Sequence, residues 1–140
     1  MEAKFGSTQD LKIVHLQGTL GSSAQIGRSE ALQEAVARNS GWEIIHSASG
    51  EFSQVRGKEV MEYILKQHHN IDVLYVENDD MAFGAMDAMD LARVTYGVNG
   101  DITIVSFDAT RAGLDATLAG RINFNVECNP LHGPRVEAII

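Results

Sequence analysis

Five short apolar runs punctuate the chain at near-even spacing: residues 11–16 (LKIVHL), 42–46 (WEIIH), 72–76 (DVLYV), 102–107 (ITIVSF) and 122–126 (INFNV). β-Branched residues fill them, and Gly, Asn or Asp bound them, so each predicts a strand. Between them the period lengthens. Leu32, Ala35 and Val36 form one stripe, Val60, Met61, Ile64 and Leu65 a second, and Met81, Ala85, Ala88, Met89 and Ala92 a third. That spacing predicts helices. A further short helix is expected in TRAGLDATLAG, closing at Gly120, a residue suited to the position after a helix end. Strict alternation of strand and helix predicts an α/β protein in three α/β/α layers. Its sheet is mostly parallel and five-stranded, with a flavodoxin-like strand order.

Composition narrows the function more than the fold. The chain has 140 residues and a formal charge of −8. The length suits one domain, and the acidity argues against nucleic acid, whose phosphates need clustered cations. With one cysteine, Cys128, no intrachain disulfide or paired-cysteine metal site is available. His68 and His69 have no partner at ligand spacing, so no metal is expected. No Ser/His/Asp arrangement stands at adjacent strand ends, so no catalytic residue and no cofactor is assigned.

In open parallel sheets ligands bind beyond the carboxyl ends of the strands. Four strand ends lead to Arg28, Phe52, Asn78 and Asp108. One cation, one aromatic ring, one amide and one carboxylate suit a neutral polyol. The oxygens accept from hydroxyls, the arginine donates, and the ring covers a C–H face. Each residue also has a plainer reading: Asn78 as a helix cap, Asp108 as the closure of a turn, Phe52 as a core aromatic, Arg28 as a solvated helix residue. In Asn78–Asp79–Asp80, Asp79 or Asp80 is expected to cap the helix, leaving Asn78 to face a ligand.

At these residues the sequence resembles the periplasmic sugar-binding proteins of ABC transporters, the ribose-binding-like group. The matching stretches are LQGTLGSSAQIGR (16–28), SGEFSQVRGKEVM (49–61), ENDDMAFGAMDAM (77–89) and ITIVSFDAT (102–110). SGEF, GKEVME and NDDM are nearest the galactofuranose-binding branch. The resemblance implies a type I periplasmic binding protein, non-enzymatic, with a monosaccharide as ligand and a membrane permease as partner. It also implies a periplasmic location, although the chain carries no signal peptide. Carried over, Arg28, Phe52, Asn78 and Asp108 are sugar contacts, and Glu127 is a further contact beside the hinge. Residues 1–140 then form the C-terminal lobe, cut at both ends and lacking its N-terminal lobe, and self-association through exposed apolar ends is expected. The alternative is the effector domain of a LacI-type transcription regulator, which shares the fold.

Overall fold

The structure, a computed structural model, describes residues 10–126. The strands are β1 (Leu11–Gln17), β2 (Trp42–Ser49), β3 (Val73–Val76), β4 (Thr103–Phe107) and β5 (Phe124–Val126). The helices between them are α1 (Ser23–Arg38), α2 (Gln54–Gln67), α3 (Asp79–Leu91) and α4 (Arg111–Leu118). The sheet order is β2-β1-β3-β4-β5 and each pairing is parallel. The expected α/β class and flavodoxin-like order therefore hold. β2 runs three residues past its apolar core, whereas β5 begins at Phe124; Ile122 is buried without joining the ladder. Glu127, Cys128 and the stub LHGPRVEAII lie outside the described residues, as does MEAKFG at the start.

Two cores flank the sheet because neighbouring strand residues point to opposite faces. Leu11, Ile13, Val73, Tyr75, Val105 and Phe107 meet Leu32 and Ala35 of α1. Val14, Leu16, Leu74, Val76 and Ile104 meet Met61, Ile64, Met81, Ala85, Met86 and Met89 of α2 and α3. All four residues of β3 are buried, which explains why that segment reads as a continuous apolar run instead of an alternating one.

Each helix starts on a polar cap a short loop beyond a strand. Ser22, Ser53, Asn78 and Thr110 accept from the backbone N–H of Gln25, Arg56, Met81 and Gly113 respectively. Such caps contribute about 1 kcal/mol each. They also turn the chain sharply, gathering four loops at the carboxyl edge.

α2 and α3 cross at Gly57 and Gly84. A Cβ on Gly84 would lie 2.1 Å from the carbonyl oxygen of Gln54 and 2.7 Å from the amide of Lys58. Those are backbone atoms and cannot swing aside. Gly84→Ala is expected to destabilise the fold by about 1–3 kcal/mol despite alanine's better helix propensity. Gly27→Ala, with nothing within 4 Å, should be neutral or stabilising; parallel urea melts compare the two.

A register shift in β2 leaves Ile45 unpaired and sets His46 opposite Val14. His46 Nδ1 stands 3.3 Å from His68 Nε2 at the end of α2, so His68 does have a histidine neighbour. Among the described residues no group of three or more His, Cys, Asp or Glu side chains is placed to hold a metal. Burial, and next the adjacent His68, lower the His46 pKa from the ordinary 6.5. The unfolded chain therefore takes up this proton more readily than the folded one, and stability should fall as pH drops through and below 6.5. His46→Gln removes that part of the decline, which urea melts on either side of 6.5 would register.

Candidate functional site

The four strand-end residues come together. Arg28, on the second turn of α1, is only 4% exposed. Its Nη2 donates to Asp108 Oδ1 at 2.6 Å, and its Nη1 donates to the carbonyl of Glu77. The guanidinium carbon lies 5.9 Å from the Phe52 ring centroid and 5.2 Å from that of Phe107. Asn78 Nδ2 donates to the Phe52 carbonyl at 3.2 Å. Cation, ring, amide and carboxylate thus form one connected patch. The ion pair joins a buried guanidinium to a carboxylate with a side-chain exposure of 35%. Among the described residues, Asp108 Oδ2 has no hydrogen-bond partner.

The cap differs from the sequence expectation. Asn78 itself caps α3: its Oδ1 accepts from Met81 N–H at 2.9 Å. Asp79 is turned inward and is 1% exposed, while Asp80 is exposed in the first turn. Asp79 Oδ1 accepts from Ser106 Oγ (2.7 Å) and Asn125 Nδ2 (2.8 Å). Its Oδ2 accepts from the amide and hydroxyl of Thr110 at 2.8 and 2.7 Å. The physical reason is distant in sequence: four donors from β4, the cap of α4 and β5 satisfy a buried carboxylate there, which an amide would match less well. The row of three polar residues therefore divides into a cap that also braces Phe52, a buried brace for the Asp108 loop, and a solvated charge beside the helix N-terminus.

Backbone strain concentrates in the two loops that bring Phe52 and Asp108 to the edge. Among the described residues five non-glycine residues have positive φ, and four of them are Glu51 (55°), Phe52 (58°), Asp108 (93°) and Ala109 (49°). Such conformations cost of order 1–3 kcal/mol each and persist where surroundings over-determine them. Asn125 Oδ1 accepts from Ala109 N–H at 3.0 Å and Asp79 holds Thr110, so the Asp108 turn is fastened on both sides. Gly18 supplies the seat for Phe52. A Cβ there would fall 1.9–2.5 Å from the ring carbons.

Beneath this patch lies a polar group that sequence reasoning missed. Glu77 is fully buried. Its Oε2 accepts from Ser29 Oγ and lies beside His15 Nε2, both at 2.6 Å, and its Oε1 accepts from Gly18 N–H at 2.9 Å. A serine, a histidine and an acid thus meet after all, yet the serine hydroxyl donates to the acid and the cluster is closed to solvent. No activated nucleophile results. Tyr75 donates from its hydroxyl to the Arg28 carbonyl at 2.8 Å. Burial, then the charge of Glu77, raise its pKa well above 10.0, so the phenol keeps its proton. The available signal was His15, an ionisable side chain on the same strand face as Leu11 and Ile13.

Two cavities, of about 480 and 190 Å³, sit at the opposite, amino edge of the sheet around His68 and His69. Neither is lined by Arg28, Phe52, Asn78 or Asp108. Within the carboxyl-edge patch Arg28 and Asn78 are buried, Phe52 is half-buried and Asp108 is exposed. No helix among the described residues is long and apolar enough to cross a membrane.

Comparison with known proteins reaches the same architecture. A family model described as "periplasmic binding protein domain" matches residues 1–132. The galactofuranose-binding protein YtfQ of Escherichia coli is 37% identical over 131 residues, covering 91% of this chain and 41% of that protein. A Mycobacterium smegmatis protein solved in complex with β-D-fucofuranose superposes with a TM-score of 0.85 at 40% identity, covering 98% of this chain and 45% of the other. The binding component of the Shewanella sp. ANA-3 arabinose ABC transporter, bound to α- and β-L-arabinofuranose, gives a TM-score of 0.80 at 36% identity, covering 86% of this chain and 40% of the other. The chain therefore spans less than half the length of these relatives.

Proposed function

The chain belongs to the periplasmic binding protein domain family, and from that premise we propose that residues 1–140 are one sugar-recognition lobe, the C-terminal one, of a monosaccharide-binding protein. The whole protein captures a sugar in the periplasm and presents it to an ABC-transporter permease, without catalysing a reaction. The observation that carries this reading is the convergence of Arg28, Phe52, Asn78 and Asp108 from four strand ends into one connected patch. Asp108 Oδ2 accepts a sugar hydroxyl, Arg28 holds that carboxylate and donates to a ring or hydroxyl oxygen, and Phe52 covers a C–H face. Hydrogen bonds to charged groups contribute roughly 1.5–3 kcal/mol each, enough for a few to select one stereoisomer. Asn78 contributes through its cap and its hold on Phe52 as well as any direct contact. Glu127 keeps its proposed place as a further contact.

The five-membered ring is the favoured substrate class. The relatives named for galactofuranose, fucofuranose and arabinofuranose are proteins that share 36–40% identity with this chain. A single lobe leaves one side of the sugar in water, and the desolvation that closure of a second lobe supplies is missing. Isothermal titration of the 140-residue chain with galactofuranose, L-arabinofuranose, D-ribose and D-glucose tests the proposal. Weak, saturable binding that favours the furanoses supports it. Equal heats for all four sugars, with no saturation, would remove it.

A further inference from the structure

We propose that Glu77, with Ser29 and His15, is the positioning element that sets Arg28 and Phe52 for the sugar. The inference rests on the sugar-site reading and extends it to residues that do not touch the ligand. Glu77 is fully buried, and its two carboxylate oxygens reach both sides of the patch. On one side Oε2 accepts from Ser29, the residue next to Arg28, while the Glu77 carbonyl accepts from Arg28 itself. On the other side Oε1 accepts from the amide of Gly18, whose α-carbon is the seat of the Phe52 ring. Ser49 Oγ donates to the Gly18 carbonyl at 2.8 Å, closing that seat from β2.

The connections continue outward. Gln25 Nε2 donates to Ser29 Oγ at 2.9 Å, and Gln25 Oε1 accepts from Gly21 N–H at 3.0 Å. The loop before α1 and the first turns of that helix are thus tied to the end of β3 through one carboxylate. An arginine has several rotatable bonds and gains affinity for a ligand only when its fork is held in advance. Glu77 holds it, and a buried acid with partners on both oxygens is a stiff anchor because losing any partner leaves a polar group unsatisfied. His15, pressed edge-on against Tyr75 with ring centroids 5.4 Å apart, fixes the carboxylate from below.

The test uses Glu77→Gln and the milder Ser29→Ala in the 140-residue chain. An amide at position 77 turns an N–H₂ toward donors on at least one side, so it should free the arginine without removing volume. In the sugar-free chain the Arg28 guanidinium N–H signals should be sharp and slow to exchange by NMR, and each substitution should broaden or lose them. Affinity for L-arabinofuranose should fall roughly tenfold in Glu77→Gln and a few-fold in Ser29→Ala. In an Arg28→Lys background most of that loss should vanish, since a residue acting through Arg28 has little left to act on. A structural role alone would lower the melting temperature, leave the Arg28 signals unchanged and add its loss equally in both backgrounds; that result overturns the proposal. Should Glu77→Gln fail to fold, Ser29→Ala decides by the same readouts. Should the unaltered chain bind no furanose, the sugar reading fails, and the sugar-free Arg28 signals still judge the positioning role.

Discussion

Asp108→Ala should weaken sugar binding by about 100-fold or more while leaving the sheet intact. Two losses combine. The sugar loses a charge-assisted acceptor, about 1.5–3 kcal/mol, and every 1.4 kcal/mol is tenfold in affinity. Arg28, 4% exposed, also loses the partner that its Nη2 holds at 2.6 Å, so its fork is no longer aimed at the ligand. Position 108 sits at φ 93°, where any side chain is strained. Asp108→Gly relieves that strain and should therefore melt above the alanine variant, while both melt below the unaltered chain because buried Arg28 loses its partner, and it should bind as poorly as the alanine variant. Calorimetric titration beside thermal melts separates the two effects. Full affinity in both variants would mean that the sugar does not use this carboxylate.

The second large effect is on stability. Asp79→Ala is expected to cost roughly 3–5 kcal/mol, because four donors from Ser106, Thr110 and Asn125 lose one shared acceptor. That is a large part of the 5–15 kcal/mol that holds a typical domain together. The damage should not stay local. Asp79 fastens Thr110, the cap of α4, and through Asn125 the turn at Ala109. Asp80→Ala, one residue on and exposed, should shift stability by no more than about 0.5 kcal/mol. Urea denaturation of the two variants gives the contrast, and equal midpoints would refute the assignment of roles.

These two neighbours also show where the sequence is legible and where it is not. The apolar runs located the strands of the described residues because both faces of a parallel sheet are buried, so pattern and burial coincide. The end of β5 was less legible: Ile122 is buried yet unpaired, and apolarity records burial, not ladder membership. Strand ends followed by polar caps were equally readable, and they brought Arg28, Phe52, Asn78 and Asp108 to the same edge. Which of Asn78, Asp79 and Asp80 caps α3 was not readable, since the choice depends on Ser106, Thr110 and Asn125, between 27 and 46 residues away. Glu77 was hidden for the same reason. Its partners Gly18, His15 and Ser29 come from another strand and another helix, 48 to 62 residues distant, and no local period marks them.

The proposed site makes the carboxyl-edge patch the sugar-facing wall of this lobe. It is tested most directly by an NMR titration of the chain with millimolar furanose sugars, following backbone and side-chain signals together. Saturable shifts are expected at Arg28, Phe52, Asn78 and Asp108, with the amino edge around His68 and His69 unmoved. Shifts gathered at the amino edge, or none at the four named residues while binding is measured by heat, would contradict it.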